Sequence, residues 1–524
     1  MSEIDGLPLL LSASLVLIPL LPLLASLWIA TGFVFFFNRG ESGERQTTLV
    51  SIGSISISLL LIIVIDFYLA FIIQNSQTIN LGTWLSAGKY SVDFNFILDY
   101  KSLVMATLTG VIALLITRFS VIYLHRESGF QRFFLVLNLF TSAMLFMAFA
   151  GNAVLMFMAW EIAGVSSFLL IAYSWNRKVA TRNATRAFIS NRIGDAGFIF
   201  GIAFSYFWLG SVDWQTLAIT TGSKIHIGII LFGFLVAAFA KSAQLPFTAW
   251  ITRALEGPTP SSAIFYGSLM VHAGVYLLLR IEPLLVQVPT LQFLILLIGF
   301  LTFIYAYIVG FVQTDIKSSF IFSTLSQVAL MFIWIGLGWF HLALVHLVMH
   351  AIWRAYQFLH APSFMQLVST PAPAAPGWLN RKNGLYTAAL NRFWLDGITD
   401  WLLTRPTQLL AREIQVFDEQ VVDRITGVPT HSTNINKAVL DKQGKSNNLH
   451  DEVVGTGKGF FGKSLEYLAN TFQYFEEHLI LHGSGEGLLK GINFLGKYLE
   501  VADKILMQPR YILVIIMATF VVVL

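Results

Sequence analysis

IGIILFGFLVAAFAKSAQLP, residues 227–246, joins features that rarely coexist in a water-soluble protein. An unbroken apolar run from Ile227 to Ala240 closes on Lys241, and Pro246 follows five residues later. Proline removes a backbone donor and frees a carbonyl one turn back, so this stretch predicts a helix broken beside its lysine. Within a bilayer such a lysine either snorkels to the interface or lines a polar cavity. Burial disfavours the charged amine and a nearby carboxylate favours it, an opposition by which a proton can be held and then released.

The rest of the chain extends the membrane reading. Of 524 residues 56% are hydrophobic and 12% charged, with mean hydropathy +0.70, a balance whose polar surface could not cover a soluble globule of this size. A hydrocarbon core about 30 Å thick needs roughly 20 apolar residues per helical crossing, and about eleven such stretches recur from near Leu9 to near Phe364, with one more near Tyr511 to Leu524. The expected fold is therefore an all-α polytopic membrane bundle of about 12 transmembrane helices. Leu7 to Phe37, preceded by Glu3 and Asp5, is too long and lacks the basic start of a signal peptide, and reads as a retained first helix or a tight helical pair. The absence of cysteine excludes disulfides, thiolate metal sites and iron–sulfur clusters within this chain, so redox chemistry would have to come from partners. The net charge of +4 reflects loop arginines and lysines rather than a nucleic-acid footprint.

Those loop cations are asymmetric. Arg39 and Arg45, then Arg118, Arg126 and Arg132, then Arg177, Lys178, Arg182 and Arg186 follow the odd-numbered spans, while the loop from Gln74 to Asp99 is nearly balanced. This pattern places the odd-side loops in the cytoplasm, the N-terminus outside, and residues 366–508 in the cytoplasm of a cell whose inner membrane holds the chain. From Thr370-Pro-Ala-Pro-Ala-Ala-Pro376 onward the character changes, and no apolar stretch long enough to span recurs before Met507. Three amphipathic helices are legible there. The sharpest two carry stripes of Phe461, Leu465, Leu468, Phe472, Phe475 and Leu479, and of Leu488, Ile492, Leu495, Leu499, Ala502 and Leu506. They suit the membrane surface or a neighbouring subunit, or else a soluble coiled coil. Residues Thr430 to Gly457 are polar and glycine-containing, in keeping with a mobile connection. Four segments result: N-terminal spans (1–94), the spans that carry the intramembrane ionisable residues (95–365), an amphipathic tail (366–508) and a terminal anchor (509–524).

Several ionisable residues fall inside apolar spans, where insertion costs at least about 2.5–3.5 kcal/mol each and a partner or polar cavity is expected. Glu161 lies between Ala153–Trp160 and the run ending at Tyr173, either as a working carboxylate or as a structural hydrogen-bonded one. Arg192 and Asp195 are three apart and read as an ion pair that is structural or tunes Glu161. His346, His350 and Arg354 share one helix face at four-residue spacing. Leu347 follows His346 where a metalloprotease would have glutamate, so a proton relay is favoured over satisfied core histidines or a metal. His272, alone in the span Ser262 to Leu279, is ambiguous by itself and becomes a bridge when set in line with the others.

The stretches Trp160-Glu-Ile-Ala-Gly164, Asn191-Arg-Ile-Gly-Asp195, Lys241-Ser-Ala-Gln-Leu-Pro246, Glu256-Gly-Pro-Thr-Pro260 and His346-Leu-Val-Met-His350-Ala-Ile-Trp-Arg354 resemble, in order, the antiporter-type subunits of respiratory complex I and Mrp antiporters, nearest the NuoL-like branch. The resemblance covers roughly residues 95 to 360. It implies an antiporter-like fold, a Glu161–Lys241 pair and a central relay at His346 and His350. Arg392 to Asp423 and the tail likewise resemble the NuoL end, with its lateral helix and terminal anchor. Two departures stand out. The family usually has lysine at Arg354, and a guanidinium cannot pass on a proton as an amine does, which points to electrostatic gating. Further spans with a second broken helix usually follow the histidine helix, where Pro371 to Pro376 stand here.

Shortened NuoL-like chains resemble DabB, the membrane subunit of DabAB inorganic-carbon uptake complexes. That implies a cytoplasmic, carbonic-anhydrase-like DabA-type partner, with zinc in the partner and no cofactor in this chain. A proton or sodium ion would enter near Glu161 and Lys241 and pass His272, His346 and His350. A NuoL-like subunit of complex I or of a membrane hydrogenase is the alternative, and a passive membrane anchor for a cytoplasmic enzyme is the reading from another class. No Walker lysine or dinucleotide fingerprint is present, so ATP or NADH chemistry is not expected in this chain.

Overall fold

The computed structural model describes residues 9–71, 76–88, 90–361, 375–417 and 467. In chain order the elements are α1 (Leu9–Val34), α2 (Gly40–Phe71), β1 (Gln77–Ala87), β2 (Tyr90–Leu98), α3 (Tyr100–Tyr123), α4 (Phe130–Phe149), α5 (Ala153–Ile171), α6 (Lys178–Phe204), α7 (Trp214–Ile219), α8 (Lys224–Lys241), α9 (Ala249–Arg253), α10 (Thr259–Ser262), α11 (Ala273–Arg280), α12 (Glu282–Leu285), α13 (Pro289–Gly310), α14 (Ile316–Gly336) and α15 (Phe340–Leu359). Ten helical segments among the described residues are long and apolar enough to cross a membrane, the composite span Thr259–Arg280 included. The 27-residue α6 is equally long but carries Arg182, Arg186, Arg192 and Asp195. The N-terminal run forms a single helix, α1, with Pro19 and Pro22 inside it. This is the expected all-α membrane bundle.

α4 is the most enclosed of the single spans, packed against α1, α2, α3 and α5. α6 crosses α8 through small residues: a Cβ on Gly233 would lie 2.6 Å from the Gly197 carbonyl oxygen, and one on Gly197 would lie 2.8 Å from that of Gly233. Only glycine permits that approach, which is how helices pack where the solvent supplies no hydrophobic drive. The arginine-bearing loops after α1, α3 and α5 share one end of the bundle, because successive spans run antiparallel.

The opposite end departs from expectation. Residues 77–98, read from sequence as a plain loop, form an antiparallel β-hairpin. Alternation of Val92, Phe94, Phe96 and Leu98 with Ser91, Asp93 and Asn95 is the signal, and Gly88 at φ +61° supplies the turn. The hairpin is latched onto the helix ends. The Gly151 N–H donates to the Asn95 carbonyl (2.9 Å), Asn152 Nδ2 to Asn95 Oδ1 (2.7 Å), and Asn95 Nδ2 to Asp213 Oδ1 (2.8 Å).

The chain divides into two compact units, Met1–Thr404 and Arg405–Leu524. In the first, short helices at Gly377–Asn380, Asn383–Leu390 and Leu395–Thr399 follow α15. Leu379 and Ala389 pack with Val312, and Arg253–Asp396 (2.9 Å) and Arg186–Asp400 (2.8 Å) join these helices to α9 and α6. In the second, the helix Arg405–Phe417 exposes Leu409, Leu410 and Ile414. The two stripes beginning at Phe461 and Leu488, the polar segment 430–457, Asp423 and the span near Tyr511 to Leu524 lie outside the described residues.

Candidate functional site

The break expected near Pro246 is present, and the chain closes it in its own way. α8 ends at Lys241, Ala243 adopts φ +52°, the Gln244 N–H donates to the Phe239 carbonyl (2.8 Å) and the Ala243 N–H to that of Ala240 (3.2 Å). This is a Schellman termination with alanine at the left-handed position. Trp250 Nε1 also donates to the Ala240 carbonyl (2.9 Å), covering an acceptor that the break leaves without a helical partner. A second discontinuity faces it. The span from Thr259 to Arg280 passes through a π-turn at Ala263–Ser268 and a 3₁₀ turn at Met270–His272, irregularity that the sequence did not announce. Ser242 Oγ donates to the Val271 carbonyl (2.8 Å), so the two breaks meet inside the bundle. Irregular backbone at membrane depth is tolerated only where protein or a polar cavity surrounds it.

Around the first break the structure assembles Glu161, Arg192, Asp195 and Lys241. The connections differ from the implied direct pair. Arg192 Nη1 donates to Glu161 Oε2, and Arg192 Nη2 lies 2.9 Å from Asp195 Oδ2. Trp160 Nε1 donates to Asp195 Oδ1 (2.8 Å). Lys241, 1% exposed, donates through Nζ to the Trp160 carbonyl (3.0 Å) and sits 5.0 Å from the indole centroid. Arg192 is thus the bridge between the two carboxylates, and Lys241 joins them through Trp160. Gly164 provides the space, since a Cβ there would lie 3.1 Å from the lysine Nζ. With all four groups ionised, two carboxylates and two cations sum to zero, the condition under which charges persist in a low-dielectric interior.

From the second break the path is direct. His272 Nε2 and His350 Nδ1 are 3.1 Å apart, so one ring donates and the other accepts, and the pair shares a proton. His346 is held differently. Trp334 Nε1 donates to its Nδ1 (3.2 Å), which leaves Nε2 as the nitrogen that carries hydrogen and donates to Gln327 Oε1 (3.0 Å). Its ring stands at 85° to that of His350, centroids 6.2 Å apart, and both of its nitrogens are engaged elsewhere. Gly338, at φ +81°, ends α14 and lets Trp339 stack on Trp334, which fixes the indole above His346. Arg354 is 4% exposed and donates from Nη2 to Ser323 Oγ (2.8 Å).

His346, His350 and Arg354 line a groove of about 610 Å³ between α14 and α15, together with Ser319, Ser323, Gln327 and Gln357. Gln244 Oε1, Glu161 Oε1, His350 Nε2 and Gln357 Oε1 are buried atoms without a protein hydrogen-bond partner.

Sequence reasoning missed Trp160, Trp334, Gln327 and Ser323, which are ordinary-looking residues until the helices pack. It also missed Asp66, inside the apolar α2 and bonded by Thr107 Oγ1 (2.7 Å), although the intramembrane-charge argument applies to it directly. A further network at the hairpin end joins Arg280 to Asp99 (2.6 Å) and Lys101 to Glu282 (2.6 Å). Burial pushes the Asp99 carboxyl up, but Arg280 and the Ser102 N–H outweigh it and hold the group below the ordinary carboxylate range.

Comparison with known proteins returns two families. "NADH:quinone oxidoreductase/Mrp antiporter, TM" matches residues 150–381, and "NADH-Ubiquinone oxidoreductase (complex I), chain 5 N-terminus" matches residues 84–134. NAD(P)H-quinone oxidoreductase subunit 5, chloroplastic, of Spinacia oleracea is 32% identical over 370 residues, covering 69% of this chain and 49% of that protein. The organellar chromatophore protein of the same name from Paulinella chromatophora is 33% identical over 356 residues, covering 66% and 53%. The chain therefore spans about half the length of the curated relatives it matches. Among solved structures, the Mrp complex from a Dietzia species aligns with TM-score 0.58 at 24% identity, over 67% of this chain and 37% of that one. The membrane-bound sulfane sulfur reductase, an archaeal respiratory membrane complex, aligns with TM-score 0.57 at 19% identity, over 66% and 70%. Both share its fold.

Proposed function

Because the chain belongs to the antiporter-like membrane subunit family of complex I and Mrp antiporters, we propose that it is a proton-translocating membrane subunit working inside a larger complex. The observation that carries this reading is the succession of ionisable groups gathered around two facing helix breaks: Glu161, Arg192 and Asp195 with Lys241, then His272 with His350, opening into the groove beside Arg354. Lys241 holds the proton while the carboxylates balance it, and weakening that balance releases it. Water near Gln244 carries it to His272, and the shared proton between His272 and His350 passes it on by exchange of tautomers. Arg354 stays charged and acts on His350 as a gate. Each charge crossing 100 mV releases about 2.3 kcal/mol, so a few ions drive a coupled partner. Sodium in place of the proton is the variant of this reading.

Residues 95–365 form the conducting core in this proposal, between the N-terminal spans at 1–94 and the tail at 366–508. The N-terminus lies outside a cell inner membrane and the tail in the cytoplasm, where it docks a partner. The finer reading places that partner among DabA-like, zinc-containing proteins and the function in inorganic-carbon uptake. The proline-rich sequence at 371–376 and the polar sequence that follows, in place of further apolar stretches before Met507, support it. A NuoL-like subunit of a respiratory complex or membrane hydrogenase remains the alternative, and the curated relatives are named as subunits of an NAD(P)H-quinone oxidoreductase. Purification of the tagged chain from its host, with mass spectrometry and a zinc assay, separates these: a zinc protein of carbonic-anhydrase type supports carbon uptake, and iron–sulfur and quinone subunits support a respiratory complex. Lys241→Ala in the same complex tests translocation itself, since a passive anchor keeps the partner's activity and a proton path loses it.

A further inference from the structure

Arg354 differs from the other enclosed cations: among the described residues it has no carboxylate in ionic contact, and unlike Lys241, which also lacks a direct ion pair, it does not share a cluster with Glu161 and Asp195. Arg280 has Asp99 at 2.6 Å, Lys101 has Glu282 at 2.6 Å and Arg192 has Asp195 at 2.9 Å. Arg354, 4% exposed, has the Ser323 hydroxyl and the face of Phe320 at 5.5 Å, and its Nε has no partner. Among the described residues no carboxylate lines the groove it faces. It lies five residues inside the end of α15, about 8 Å deep at the rise of an α-helix, and so within the span.

Among the described residues the groove is open at the side of the bundle. Its mouth is flanked by Met349 and Trp353, exposed at 67% and 58%, while its floor is polar, formed by Ser323, Gln327, His350 and Arg354. Lipid tails cannot hydrogen-bond that floor or balance its charge. About 610 Å³ is too little for a helix and enough for the side chains of one helix face. Val345, Met349, Ile352 and Tyr356 continue the exposed apolar strip along α15 on which such a helix rests.

We infer that the mouth of this groove is covered by a transmembrane helix of another subunit, which places an aspartate or glutamate against Arg354. The covering carboxylate neutralises the guanidinium one turn from His350 and closes the lipid-facing side of the groove. The inference rests on the membrane-subunit reading above, but its test needs no proton movement and so fails separately.

A photo-crosslinking amino acid is placed at Met349 or Trp353 in the full chain within its native complex, with Phe293 on α13, exposed at 62%, as a lipid-facing control. Mass spectrometry is expected to find positions 349 and 353, and not 293, joined to one membrane-spanning segment of another subunit containing Asp or Glu. Arg354→Gln is expected to lower that cross-link about ten-fold or more while Arg354→Lys keeps it, because loss of one member of a desolvated pair strands the other. Cross-links to lipid alone, to a second copy of this chain, to a soluble domain or to an acid-free segment overturn the inference. So does an undiminished cross-link in Arg354→Gln.

Discussion

Replacing Lys241 by arginine separates proton release from charge balance. The amine is buried, donates to the Trp160 carbonyl at 3.0 Å, and with Arg192 balances Glu161 and Asp195. Arginine preserves that sum and can donate to the same carbonyl, and Gly164 sets no side chain against the amine. What changes is release. The reference pKa values of guanidinium and ammonium differ by at least about 2 units, and at about 1.36 kcal/mol per unit the deprotonated form becomes roughly 100-fold rarer. The assay is proton entry into liposomes holding the purified complex, driven by a potassium diffusion potential and read with an interior pH dye. Lys241→Arg is expected to assemble like wild type and conduct about 100-fold more slowly, whereas Lys241→Met unbalances the cluster and also lowers the yield of complex. An assembled Lys241→Arg complex that keeps more than about a tenth of the wild-type rate refutes the reasoning, because lysine would then serve as fixed charge alone.

At the hairpin end, Asp99→Ala strands the buried Arg280 and is expected to cost about 3–5 kcal/mol, with Asp99→Asn costing less because it still accepts the Ser102 N–H; thermal melting in detergent measures both. Since folding holds the Asp99 carboxyl below its unfolded value of about 3.9, this stabilisation is complete above that pH and is lost as pH falls through the folded value. Melting temperature against pH therefore loses part of its acid-side slope in Asp99→Asn. Gly233→Ala forces α6 and α8 apart at about 1–3 kcal/mol, while Gly228→Ala, whose Cβ meets nothing nearer than Val288 at 3.8 Å, melts like wild type. His350→Ala is expected to stop proton entry in the assembled complex, and Trp334→Phe, which only frees His346 Nδ1, to retain it. Equal loss in both variants would place His346 on the path.

Most of the fold was legible because membrane helices announce themselves: a span must be apolar for its whole length, so α1 to α5, α8 and α13 to α15 stand out one at a time without knowledge of their neighbours. The same logic exposes Glu161, Lys241, His346, His350 and Arg354, since an ionisable group in an apolar run is costly wherever it sits. The break near Pro246 was legible for a local reason as well, a missing backbone donor. The hairpin at 77–98 carried a period-two signal that a reading tuned to spans passed over.

Pairing is another matter, because it depends on which helix faces which and at what depth. Linear spacing put His346 and His350 on one face, but packing gave His350 to His272 and His346 to Trp334 and Gln327. Spacing joined Arg192 to Asp195, and only the close α6–α8 crossing at Gly197 and Gly233, with α5 laid alongside, brought Glu161 and Lys241 into the same cluster. The sequence determined which residues are too expensive to leave alone in a membrane, because that cost belongs to each residue and its span. The tertiary structure decided which of them balance one another and which, like Arg354, lack a counter-charge among the described residues, because Coulombic balance is set by distances of a few ångströms between helices far apart in the chain.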